Sequence, residues 1–126
     1  PAGETMLKRY RVLGPADVDL SFAGRGDAAR AAKIAAALKR LRAGALLKWE
    51  VREDAVLLKA GSESVAMLSV AGAEWFRRHA ERVEALRVLG VYGWRREDVD
   101  PEWRNTCVTD RWGVPLCEAV VRRSQT

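Results

Sequence analysis

Residues 47–70, LKWEVREDAVLLKAGSESVAMLSV, decide how the rest of the chain must fold. Leu47, Trp49 and Val51 alternate with Lys48, Glu50 and Arg52, the period of a half-buried strand. Glu53-Asp54 turns the chain into a second apolar run over 55–60, and Gly61-Ser62 turns it again into a third over 63–70. Connections this short force antiparallel neighbours, because a parallel crossover needs about a dozen residues or more. The stretch therefore predicts a three-stranded meander.

Upstream, residues 8–13 predict a short strand stopped by Gly14-Pro15. Val18, Leu20 and Phe22 alternate with Asp19, Ser21 and Ala23, which predicts another strand. Asp27 is placed to cap an Ala-rich helix over 28–43 that ends at Gly44. Ala31, Ile34, Leu38 and Leu41 form its inner stripe, while Arg30, Lys33, Lys39, Arg40 and Arg42 cover the rest with no acid among them.

Downstream, Ser69 or Gly72 opens a second predicted helix that runs to about Leu89 and closes at Gly90, with Phe76, Ala80, Val83 and Leu86 or Leu89 inward. Residues 91–126 read as a less regular tail, with short helical turns after Asp100-Pro101 and both cysteines inside it. The expected fold class is α+β: a four-stranded antiparallel sheet, helices mainly on one face, and an irregular C-terminal segment closed by a disulfide. Residues 1–5 form a loose lead-in, and 6–126 form a single domain.

The chain has 126 residues, 48% hydrophobic and 31% charged, enough for one core and too apolar for general disorder. No apolar run approaches the roughly 18–20 residues of a spanning helix. Glu4, Lys8 and Arg9 interrupt the first ten residues, so no secretory signal is read there and a cytoplasmic location is expected. Lys and Arg number 22 against 17 Asp and Glu, a formal +5, and 17 of the 22 are Arg. Arginine forks onto phosphates and stacks on flat rings, so the balance points to an anionic polymer as partner.

Asn105 and Gln125 are the only amide side chains, a thermophile-like economy that GC-rich coding also produces. Cys107 and Cys117 would stay reduced in an ordinary cytosolic protein, but intracellular disulfides occur in hyperthermophiles, and a bridge between them is the favoured reading. It would close a small loop worth very roughly 3 kcal/mol. Two cysteines and one histidine cannot supply a four-ligand zinc site, and no cofactor or metal is expected.

Catalysis has little to work with. His79 stands alone within Arg77-Arg78-His79, and Glu53-Asp54 and Glu97-Asp98 are explained by turns and ion pairs. Gly24-Arg25-Gly26-Asp27 precedes a helix but lacks the lysine and spacing of a phosphate loop. The residues favour a binder over an enzyme.

Every tryptophan has a basic residue within two positions in sequence: Lys48-Trp49, Trp75-Phe76 before Arg77-Arg78, Trp94-Arg95, Trp103-Arg104 and Arg111-Trp112. Single-stranded nucleic acid needs this mixture, flat faces for bases and cations for the backbone. The candidate binding residues are Lys48, Trp49, Arg52 and Lys59 on the meander, Trp75, Arg77 and Arg78 on the second helix, and Trp94, Arg95, Arg111 and Trp112 in the tail. The competing view makes tryptophan core filler with arginine lying over it.

Taken together, the strand and helix order, the Trp/Arg clustering and the Cys107/Cys117 pair resemble the archaeal ThermoDBP-related single-stranded nucleic-acid-binding proteins over about residues 6–120. The resemblance implies sequence-independent binding of single strands in a basic, apolar cleft. The expected partner is thus single-stranded nucleic acid, DNA ahead of RNA, with no membrane and with room for a homo-oligomer. The alternatives are a metal-dependent nuclease-like domain and a protein-interaction domain whose basic surface is incidental.

Overall fold

The computed structural model describes residues 8–122, so the lead-in expected over 1–5 lies outside them. The elements in chain order are β1 (Lys8–Leu13), α1 (Ala28–Lys39), β2 (Leu46–Val51), β3 (Val56–Ala60), β4 (Glu63–Met67), α2 (Val70–His79), β5 (Val83–Arg95) and β6 (Arg111–Arg122). Short 3-10 turns follow α2 and fill part of the β5–β6 connection, at Arg96–Asp98 and Pro101–Thr106.

The sheet has six antiparallel strands in the order β1-β6-β5-β2-β3-β4, not the four expected. Two corrections account for the difference. The predicted second helix stops at His79, and its expected continuation is β5, a 13-residue strand. The expected irregular tail is largely β6, paired with β5 from Val83↔Val121 to Arg95↔Arg111. Conversely, 18–22 is no strand: Val18 makes one isolated bridge to Leu68. Asp19 Oδ1 accepts from the Ser21 N–H at 3.0 Å and the Ser21 hydroxyl at 2.8 Å, a local turn that competes with strand pairing.

The expected disulfide is absent, and both cysteines are buried free thiols. Cys117 lies in mid-sheet between Leu13 and Val88, whereas Cys107 bridges Arg25 before β6 begins. Six residues of extended β6 separate Arg111 from Cys117, roughly 20 Å at about 3.3 Å each. A bridge needs Cα atoms within roughly 7 Å, and the two cysteines stand on different elements, Cys117 within β6 and Cys107 before it begins. Burial pushes the Cys117 thiol up to about 12.

Along β6, Trp112, Val114, Cys117, Ala119 and Val121 are buried, and Pro115 is fully enclosed. β1 pairs with 117–122, so Pro115 stands beyond the end of that ladder, and proline is tolerated where strand pairing on one side has stopped. Asp27 caps α1 by accepting from the Ala29 N–H at 2.8 Å, and Ile34 and Leu38 are the helix's buried residues. The helix ends at Lys39 rather than 43 because the following chain is recruited to β5. Gly44 (φ 91°) donates to the Val88 carbonyl and Val88 donates back to Ala45, both at 2.7 Å. α2 starts at Ser69, whose hydroxyl accepts from the Gly72 N–H, and it inserts Phe76 fully into the core. No helix is long and apolar enough to cross a membrane among the described residues.

Candidate functional site

The meander brings its candidate residues together but largely spends them on one another. Lys48 and Lys59 are direct cross-strand partners, and Trp49 faces Leu58. Trp49 sits edge-on to Phe76, ring centres 5.7 Å apart, and packs against the core. Glu50 accepts from Arg52 and from Lys59, the latter at 3.3 Å, and these two cations, Arg52 first, hold its carboxyl below the usual range. Only Lys48 of this group stays exposed and without an ion-pair partner among the described residues.

The α2 group is likewise engaged. Trp75 stacks on His79 with ring centres 4.6 Å apart, and the Arg11 guanidinium covers it at 4.8 Å. His79 Nδ1 lies 2.8 Å from the Trp75 carbonyl, which ties the histidine to the end of the helix. Arg77 donates to the Glu53 carbonyl, and Arg78 pairs with Glu74 one turn back. His79 and Arg11 together cover the Trp75 ring.

The tail residues come together more usefully. Trp94 and Trp112 are cross-strand partners on β5 and β6, and Arg95 and Arg111 are the next pair along. They line a depression of about 400 Å³ with Gly93. Trp112 is its buried base: the indole N–H donates to the Leu20 carbonyl at 2.6 Å, and the ring lies flush on Gly24. Trp94 is half-buried and tilted against the exposed Tyr92 ring at 5.7 Å. Arg95 is drawn toward Glu97 (3.2 Å) and Asp98 (3.5 Å), whereas Arg111 is exposed with no ion pair among the described residues.

Arg111 also borders a second groove, between α1 and the start of β6, whose helix side is made of small residues such as Ala28, Ala31 and Ala35. Around α1, a third groove of about 550 Å³ separates the helix from the β3–β4 turn, with Lys33 and Arg40 on its helix wall. From Ala28 to Trp49 the sequence holds six cations (Arg30, Lys33, Lys39, Arg40, Arg42, Lys48) and no acid. Setting those six aside turns the chain's formal +5 into −1, so the entire positive excess belongs to this segment. Arg30 is held by the Phe22 and Arg25 carbonyls; the other five make no ion pair among the described residues.

Two features escaped the expected site. The cations of α1 stand in an acid-free run of sequence but none of them neighbours a tryptophan. Trp103 was visible too, paired in sequence with Arg104. In space its partner is Arg25, whose guanidinium lies 5.3 Å from the ring centre and whose Nε donates to Thr106 at 2.7 Å. Trp103 is 47% exposed, the most open of the five tryptophans. No group of three or more His, Cys, Asp or Glu is placed to hold a metal ion among the described residues. Comparison with protein-family models, curated proteins and solved structures found no match to this chain, and so no link to the ThermoDBP-related proteins.

Proposed function

We propose that the protein binds single-stranded nucleic acid without sequence preference, its phosphates lying along the cationic flank of α1 and a base resting against Trp94 between Arg95 and Arg111. The observation that carries this is the acid-free run of residues 28–49, which contains the whole positive excess and leaves five cations without an ion pair among the described residues. Uncompensated surface cations are what a polyanion displaces counterions to reach, and the affinity so gained is strongly salt-dependent. Arg111 supports continuity, since it borders both the Trp94 depression and the α1 groove. A single strand is favoured over a duplex because a half-buried ring such as Trp94 can meet only an unstacked base.

The mechanism uses fewer aromatics than the sequence offers. Trp49 and Trp112 hold the core together, Trp75 is covered, and Trp103 lies against Arg25 in a cleft lined by carboxylates, so base contact falls to Trp94, with Tyr92 beside it. Titrating labelled single-stranded DNA, single-stranded RNA and duplex, followed by anisotropy, tests the proposal. Tighter binding of single strands than of duplex at every salt concentration supports it. Equal affinity for both, or none at low salt, overturns it.

A further inference from the structure

A cleft of about 670 Å³ among the described residues carries the opposite electrostatic sign to α1. Its volume lies within the roughly 300–1,000 Å³ of small-ligand sites. The floor is apolar, with Val18 and Leu68 both 3% exposed, and Leu20 and Met67 beside them. Trp94 and Trp103 stand in its wall, and Trp94 is thus the partition between this cleft and the Arg95–Arg111 depression.

Four carboxylates line the cleft in a chain that is cationic as a whole: Asp19, Asp54, Asp98 and Asp100. Asp19 is occupied by Ser21, and Asp98 by the Arg95 backbone and guanidinium. Asp54 and Asp100 are exposed and make no ion pair or side-chain hydrogen bond among the described residues. The positive features are already used. Arg25, the one cation in the lining, is fixed by Thr106 and lies over Trp103, and the first turn of α2 is capped by Ser69. An anion entering here would meet uncompensated carboxylates, whereas a cation would meet them and an indole face together. Arg25 itself illustrates the chemistry, a guanidinium resting on the Trp103 ring.

We propose that this cleft binds a small organic cation, an ammonium or guanidinium carried on an apolar body. The charged nitrogen lies between Asp54, Asp100 and the indole rings, and the apolar part lies on Val18 and Leu68. Cation–π attraction and charge supply the selectivity, and the apolar floor supplies area. The inference is independent of nucleic-acid binding, because it uses the acidic side of Trp94 and none of the α1 cations.

The test uses three probes of similar shape, phenethylammonium, 2-phenylethanol and phenylacetate, with the indole N–H resonances of the intact protein as readout. Phenethylammonium is expected to shift the Trp94 and Trp103 signals saturably, the alcohol weakly and the carboxylate least. Trp103→Ala and Asp54→Asn/Asp100→Asn alter exposed side chains, so folding is retained. Each should weaken the ammonium about two- to fivefold, the size of a lost exposed cation–π or ion contact. Equal affinity for ammonium and alcohol, or ammonium binding unchanged in both variants, overturns the proposal. Loss of nucleic-acid binding in α1 variants leaves this outcome untouched, so the two ideas fail separately.

Discussion

Gly24→Ala is a one-methyl perturbation whose cost follows from one contact. Gly24 does not have positive φ, so alanine is compatible with its backbone. Space is the obstacle. A Cβ at this position falls on Cδ2, Cε2 and Cε3 of Trp112. Relieving the overlap requires the ring or the loop to retreat by roughly 1 Å or more to restore a normal carbon–carbon contact of about 3.5–4.0 Å. The ring has little room to do so. It is buried, and its indole N–H is tied to the Leu20 carbonyl at 2.6 Å. Overpacking of this kind costs about 1–3 kcal/mol. Loosening the hydrogen bond adds about 1 kcal/mol, because it leaves a buried donor or acceptor without its partner.

The expected destabilisation is therefore about 2–4 kcal/mol. For a domain of this length, at about 4 °C per kcal/mol, the melting temperature should fall by roughly 8–16 °C. Urea or thermal unfolding followed by tryptophan fluorescence measures it. Gly14→Ala is the control: no atom lies within 4 Å of its added Cβ and φ is not positive, so stability should hold or rise by about 0.4–1 kcal/mol. A Gly24→Ala loss below about 0.5 kcal/mol would refute the packing argument, since ordinary surface substitutions reach that size.

Tryptophan replacements should separate into two groups. Trp49→Ala and Trp112→Ala should each cost roughly 3–5 kcal/mol of stability, whereas Trp94→Ala should chiefly weaken single-strand binding, by roughly 1–3 kcal/mol; unfolding curves and anisotropy titrations on the same samples tell them apart. Both thiols should titrate in the denatured, unreduced protein, and one thiol or none would restore the disulfide. Burial raises the Cys117 pKa from 9.0 to about 12, so the preference for the neutral thiol is intact below pH 9 and its contribution is lost as pH rises toward 12. Comparing unfolding of the native protein with Cys117→Val across that window should show a steeper alkaline decline in the native chain.

The meander was legible because alternation and two-residue turns state the same thing twice. Its strands, Leu46–Val51, Val56–Ala60 and Glu63–Met67, match the alternation over 47–51 and the apolar runs over 55–60 and 63–70 to within a few residues. β5 was illegible for a specific physical reason. Register shifts fall between Val83 and Ala85 and again between Val88 and Gly90. The buried residues are consequently Val83, Leu86 and Val88. A three-residue gap extended the helical spacing begun at Phe76, and the bulge that produced it was read as a turn of helix. Gly90, taken as a helix stop, sits beside the second shift. The opposing signal was present in Val83, Val88, Val91 and Tyr92, all better suited to strand than helix.

The binding residues were only partly legible for a related reason. Sequence adjacency brought Trp94 to Arg95 and Arg111 to Trp112, and only strand pairing joined the two dipeptides. At Trp49 and Trp75 adjacency misled, because neighbours on a strand or helix point apart. The contacts that matter there come from Phe76, His79 and Arg11. Net charge, by contrast, needs no geometry to be seen. The acid-free run through α1 was open to inspection from the start.

The salt dependence of single-strand binding in Lys33→Gln/Arg40→Gln/Arg42→Gln tests the central claim most directly. All three side chains are exposed and without ion pairs among the described residues, so the fold should persist. Each lost phosphate contact flattens the log–log salt slope by about 0.7 on a single strand, so the triple variant should lose about 2 from the native slope and bind more weakly at low salt. A slope and affinity equal to the native protein's would contradict the account.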